Sequence, residues 1–242
     1  MSPSALMNDA IIISDLHLGS ANSQVLALRS FLGQLKHGEI PTRELILNGD
    51  LFDSHDFRRL KKPHWKVLSL LRSMSDDMRI NWINGNHDGS AEIISSLIGV
   101  KFADEHVLRS GGKRILVLHG HQFDTFIDNH PVLTWIADAT YRGLQWLDPS
   151  FSMARSAKRA SKTFLRCSDQ IQAGALEYAA RRNCQIVCCG HTHLEVERPG
   201  PISYFNSGCW TELPAGYLQI RDGFVSQHHY VPDMDDAELA AT

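Results

Sequence analysis

Five short apolar runs in this chain of 242 residues each end in a polar string built from Asp, His, Asn and Gly, and few folds accommodate that repeated pattern. The run at 10–14 leads into Asp15-Leu16-His17, and the run at 45–47 into Gly49-Asp50-Leu51-Phe52-Asp53. The runs at 80–83 and 115–118 lead into Gly85-Asn86-His87-Asp88 and His119-Gly120, and the run at 185–189 into Gly190-His191-Thr192-His193. Runs of this length, rich in Ile, Leu and Val and bounded by turn residues, read as buried strands. The polar strings then fall just past the carboxyl ends of strands, where open α/β sheets place their ligand crevices. Residues far apart in sequence are therefore expected to meet in one cleft.

The residue types within the strings narrow the chemistry. Carboxylates, imidazoles and one amide offer O and N donors without a thiolate, a set suited to hard-to-borderline divalent cations. An aspartate such as Asp50 can bridge two ions held roughly 3.5–4 Å apart. Glycines at 49, 85, 120 and 190 permit tight turns beside these donors. Singly, an Asp after a strand is most often a cap or turn former, and a lone His a structural residue. The ordered set of five is what points to metal. His55, Asp56, His64, His106, His228 and His229 lie outside the strings and read as surface or packing residues.

Together the strings resemble the five signature blocks of the calcineurin-like metallophosphoesterases, over residues from about 10 to 210. The resemblance implies an α/β fold of two packed mixed sheets flanked by helices, a four-layer αββα sandwich with a helical insert. It implies that Asp15, His17, Asp50 and His193 hold one divalent ion, and that Asp50, Asn86, His119 and His191 hold the other. Manganese is the foremost candidate, with iron, cobalt or zinc as alternatives. A metal-bound water, its pKa lowered toward about 7, would as hydroxide attack phosphorus in line. His87 would donate a proton or hydrogen bond to the leaving or equatorial oxygen, and Asp53 would orient His87.

Between His119 and Gly190 the chain carries more sequence than a bare hydrolase needs. The stretch 126–182 reads as a helical, lid-like insert, apolar at Val132, Leu133, Trp135, Ile136, Tyr141, Leu144, Trp146 and Leu147. Arg155, Arg159, Lys162 and Arg166 follow at helical spacing and are candidate phosphate contacts, and His121 and Asp124 beside the cleft are candidate substrate contacts. This insert and the closing 205–212 segment are similar to the UDP-2,3-diacylglucosamine hydrolase branch, whose resemblance implies a nucleotide-linked lipid substrate and peripheral association with the inner membrane face. That branch tends to carry Asn-Arg-Asp where this chain has Asn86-His87-Asp88, and His-Gly-Asp where it has His119-Gly120-His121. Two other readings therefore stay open: a phosphodiesterase or phosphatase for a soluble nucleotide, cyclic nucleotide or nucleic acid, and a noncatalytic interaction module on the same fold.

Composition sets the remaining bounds. A net charge of −3 argues against broad nucleic-acid affinity, so nucleic acid is not expected as a partner. Cys167, Cys184, Cys188, Cys189 and Cys209 lack paired spacing and suit a reducing, cytoplasmic setting, with Cys188 and Cys189 as core filler. No signal peptide or spanning segment is read from the sequence. A helix is expected from the cap-like Asn22-Ser23 to near Gly38, another around Val67–Leu71, and strands in 202–205, 217–220 and 224–226. The domain is expected to span 8–231, with a disordered tail over 232–242.

Overall fold

The computed structural model describes residues 7–89, 91–124 and 162–232, with side chains of the last segment described from Leu165 onward. Within them two mixed sheets form. One holds β1 (Ala10–Ile13), β2 (Glu44–Asn48), β3 (Arg79–Ile83), β4 (Lys101–Ala103), β10 (Ala215–Arg221) and β11 (Phe224–Tyr230), in the order β11-β10-β1-β2-β3-β4. The other holds β5 (Glu105–Ser110), β6 (Lys113–Leu118), β7 (Ile186–Cys189), β8 (Glu195–Arg198) and β9 (Ser203–Ser207), in the order β5-β6-β7-β9-β8. β1 to β4 run parallel, as do β6, β7 and β9, so their carboxyl ends share one edge of each sheet.

The two-residue period of a strand sorts the apolar side chains into three layers of core. Ile11 and Ile13 of β1, Leu45 and Leu47 of β2, and Ile80 and Trp82 of β3 face α1 (Val25–His37) and α2 (Lys62–Met74). Ala10, Ile12, Ile46 and Ile83 point the other way, onto Ile115, Val117, Ile186 and Cys188 of the second sheet. Leu116, Leu118, Val187 and Cys189 then face Ala175 and Ala179 of α4 (Lys162–Arg181), completing four layers. Both faces of the parallel strands are covered, which is why their sequences read as unbroken apolar runs. Cys188 and Cys189 divide between two of these cores as small apolar residues, and the described cysteines are all free.

Several local details depart from the sequence reading. The cap of α1 is Gln24, not Asn22 or Ser23, and it makes no side-chain cap bond. Ser23 instead donates to the Leu16 carbonyl and braces the first polar string. α4 falls within the expected insert, yet it is the outer helical layer on the second sheet, so that part of the insert is core structure rather than a lid. The rest of the insert, including Arg155 and Arg159, lies outside the described residues, as does the tail from 233. No helix among the described residues is long and apolar enough to cross a membrane.

The residues read as bland have structural contacts. His64 accepts the Lys61 amide at 2.8 Å and closes the start of α2. His106 pairs with Glu44 at 2.9 Å, and His229 with Glu195 at 2.7 Å.

Candidate metal centre

The parallel strands deliver their polar strings to one place. Past β1 and β7, the Asp15 carboxylate accepts the His191 backbone amide at 3.0 Å, and the Trp210 amide donates to the Asp15 carbonyl. Asn206 donates to the Gly190 carbonyl at 2.6 Å and to Thr192. The first and last strings are thus clasped together. Past β2 and β6, His119 Nδ1 lies 2.8 Å from the Asn48 carbonyl, while the Asn48 side chain donates to Leu118. A ring nitrogen held by a carbonyl in this way leaves Nε2 as the ligand atom, as in most metal-binding histidines.

Glycine is required at two of these junctions. A side chain at Gly49, whose φ is +83°, would strike the His119 ring, and one at Gly85 would strike Asp50.

Three groups of side chains could each hold an ion: Asp15, His17 and His193; His17, Asp50 and His87; and Asp50, His119 and His191. Asp50 is shared by the last two, its Oδ2 lying 3.7 Å from His17 Nε2 and 3.4 Å from His119 Nε2, and His17 is shared by the first two. Asp15 Oδ1 is 3.1 Å from His193 Nε2. The donor set fits divalent cations on two observations. Asp15 Oδ1 and His119 Nε2, one in each outer group, are buried with no polar partner beyond the side chains that face them across the cleft. Such atoms are costly unless a ligand satisfies them.

The backbone adds a second sign. Asp15, His17, Asp50, His191 and His193 all take left-handed backbone angles, with φ between 46° and 67°. The other such non-glycine residues among those described, Asn183 and Asp222, lie in turns. Angles of this kind cost about 1 kcal/mol or more for a bulky residue and persist where surrounding structure imposes them.

Charge in the cleft is tightly balanced. Burial opposes ionisation of Asp15, but His193 and His119 beside it prevail and hold the carboxyl below its ordinary range. Asp50 is likewise held down against burial, chiefly by His119 and His17. Burial works against a charged His119, yet Asp50 and Asp15 lift it to about 10. His121 is lowered to about 4 by burial and by the charges of His119 and His191, so it is neutral near pH 7.

The other expected site residues fall as follows. Asn86 is exposed in the turn after β3, beside His87. His87 Nδ1 lies 2.9 Å from the Asp53 backbone carbonyl. Asp53 therefore meets His87 through its main chain, while its carboxylate is drawn to Arg59 at 2.5 Å and lies 3.7 Å from His17. Asp124, read as a substrate contact, bonds His191 Nε2 at 3.0 Å. Arg166 is exposed on α4, and the Lys162 side chain lies outside the described residues.

Asp88 is a site residue that sequence reasoning passed over, although it sits in the third string. Its carboxylate accepts the amides of Asp50, Phe52 and Gly85 and the indole of Trp82. Burial and the Asp50 charge lift it to about 6 against the pull of those donors.

Residues 10–195 match the profile of a known family, described as calcineurin-like phosphoesterase. No curated protein sequence matches the chain. Among solved structures, the chain is similar to a predicted phosphoesterase of Streptococcus pneumoniae, at 16% identity over 93% of this chain and 99% of that one, with a TM-score of 0.42. It is similar to zinc-complexed Vps29 of Entamoeba histolytica at 17% identity, covering 91% and 97%, with a TM-score of 0.42. An archaeal phosphodiesterase gives 13% identity, covering 91% and 98%, with a TM-score of 0.45.

Proposed function

The chain belongs to the calcineurin-like phosphoesterase family, and from that premise we propose that its cleft is a two-ion centre for hydrolysis of a phosphoester or pyrophosphate. Asp15, His17, Asp50 and His193 hold one divalent ion in this reading, and Asp50, Asn86, His119 and His191 hold the other. The observation that carries it is the position of Asp50, whose Oδ2 faces His17 in one group and His119 in another. Two ions bound there supply Lewis acidity toward phosphate oxygens and lower the pKa of water.

This chain's own residues do the rest. His119 presents Nε2 because Asn48 occupies Nδ1, and Asp124 holds the His191 ring in place. His87, with Nδ1 turned to the Asp53 carbonyl, keeps Nε2 for the substrate oxygen that gains charge as the phosphorus–oxygen bond breaks. Asp88 keeps the Asp50 and Gly85 turns in register without touching substrate.

The finer proposal is a nucleotide-linked lipid of the UDP-2,3-diacylglucosamine type, with manganese as the metal. It is supported by the similarity of the insert and of the 205–212 segment to that branch. It is also supported by exposed apolar surface on α3 (Glu92–Leu97), which begins five residues after His87 and leaves Ile93 75% and Leu97 72% exposed. Turnover of the manganese-loaded chain on aryl phosphate esters, cyclic nucleotides and lipid-linked UDP sugars tests both levels. Release of UMP from the lipid substrate supports the finer one. Cleavage of only soluble esters replaces the substrate while keeping the chemistry, and no turnover with metals bound contradicts the hydrolytic proposal.

A further inference from the structure

At the end of the sheets away from the metal centre, the turn after β5 sits against the turn between β10 and β11. A side chain at Gly111 would strike the Asp222 carbonyl, so the two turns meet backbone to backbone. Asp9, just before β1, ties them together. Its carboxylate accepts the Ser110 hydroxyl and the Asp222 amide, and the Ser110 oxygen in turn accepts the Gly223 amide at 2.7 Å. An open cavity of about 990 Å³ lies here, with Arg43, Arg109, Arg221, Phe224 and His228 among its lining residues. Asp9 precedes β1 and Asp15 follows it, which puts the cavity and the cleft roughly 15–20 Å apart at about 3.3 Å per strand residue.

The wall of this cavity carries uncommitted positive charge. Asp9 is paired with Arg43 at 3.3 Å. Among the described residues no ion pair engages Arg109 or Arg221, and both are exposed. Asp222 is the remaining carboxylate of the wall, so two free guanidinium groups are set against one acid. Arginine suits phosphate, since its planar fork donates two parallel hydrogen bonds and keeps its charge in any surroundings. Aromatic surface borders the same space. Phe224, at the start of β11, is 72% exposed, with Lys113 Nζ 4.9 Å from its ring centre. His228 is held in place by stacking on Tyr217, the ring centres 5.4 Å apart.

We propose that this cavity is a second, noncatalytic binding site, for a small anion of the nucleoside polyphosphate class. Arg109 and Arg221 take the phosphates, and the exposed ring of Phe224 takes the base. Size favours such a ligand over inorganic phosphate, because the cavity stands at the upper end of the range for organic ligands, about 300–1,000 Å³. A long polyanion is disfavoured by the net charge of −3, which a compact ligand held by two cations does not meet along its length. No residue lining the cavity belongs to the candidate ion-binding groups, so the proposal is independent of which phosphate compound the cleft hydrolyses.

Calorimetry of the manganese-loaded full chain with the methylene-bridged analogue of ADP, which resists hydrolysis, and with tripolyphosphate tests it. Asp50→Asn, which disables the cleft, should keep nucleotide binding, whereas Arg109→Ala with Arg221→Ala should weaken it by about tenfold or more. Phe224→Ala should weaken the nucleotide several-fold and leave tripolyphosphate unchanged, as loss of base stacking requires. The arginine variant should keep the melting temperature and the turnover of a soluble aryl phosphodiester, so binding lost here is distinguishable from a failed cleft. Binding lost in Asp50→Asn but kept in the arginine variant would put the nucleotide in the cleft and overturn the proposal. So would no binding at millimolar nucleotide, or capture of a single-stranded oligonucleotide in preference to the nucleotide that the same substitutions abolish. Undiminished nucleotide binding by Phe224→Ala would overturn the nucleoside class.

Discussion

The Asp88 carboxylate accepts the backbone amide of Asp50 at 2.9 Å, and so fixes the turn of the residue that joins the candidate ion-binding groups. Asp88 belongs to none of those groups. It is 2% exposed, and its four donors come from the β2 and β3 turns and from Trp82.

Asp88→Ala should therefore loosen metal binding and destabilise the fold together, by about 2–4 kcal/mol in stability, since it strands several buried donors. Asp88→Asn keeps one oxygen and should recover part of both. Chemical denaturation alongside metal titration checks this. A fully stable Asp88→Ala protein with unchanged metal affinity would show that the turn holds itself.

Metal affinity should depend on pH through His119. Its folded pKa, about 10, lies above the ordinary 6.5, so in metal-free protein its stabilising contribution is complete below 6.5 and lost as pH rises through 10. An ion needs Nε2 without its proton. Each ion bound there should release about one proton, and affinity should rise about tenfold per pH unit across the neutral range. Calorimetry in buffers of different ionisation enthalpy measures the released proton, and zero release would mean that His119 is already neutral or does not bind.

Most of the fold that positions the site was legible in the sequence because its central strands are buried on both faces. Ile11, Ile12 and Ile13 cannot read as anything but apolar when one face meets helices and the other meets a second sheet. The edge strands β4 and β8 gave no such signal, since Lys101 and the mostly exposed residues of Glu195–Arg198 leave no continuous run. The donor types of the cleft were legible for a related reason: each follows a readable strand. Supporting contacts were not. Asp88 and His87 are neighbours in one string, and only three-dimensional packing separates a hub for main-chain amides from a side chain that faces the cleft. Likewise, no pattern distinguishes a carboxylate from a carbonyl at Asp53 as the partner of His87, or places Asp124 on His191.

His193 allows the left-handed backbone to be tested by itself. Both His193→Ala and His193→Gly remove the imidazole and should weaken metal binding alike. At φ +56° the glycine variant should nonetheless be more stable than the alanine variant by about 1 kcal/mol. Thermal unfolding of the two metal-free variants decides it, and equal stability would mean that the turn relaxes once the ring is gone.

His87 and Asp53 should separate kinetically. His87→Ala is expected to lower kcat by about 10²–10⁴ while metal content stays near that of wild type. Asp53→Asn leaves the carbonyl that faces His87 in place and should cost far less through that contact, although it disturbs Arg59 and the neighbourhood of His17. Steady-state kinetics with elemental analysis of each variant distinguishes the roles, and loss of metal in His87→Ala would instead make His87 a ligand.

The shared position of Asp50 is tested most directly by metal stoichiometry. Elemental analysis of the purified, manganese-reconstituted chain should give about two ions per molecule. Asp15→Asn should weaken chiefly one of them, whereas Asp50→Asn should weaken both and abolish hydrolysis. A wild-type chain that binds at most one ion, or an Asp50→Asn variant that keeps both at undiminished affinity, would contradict a centre built around that carboxylate.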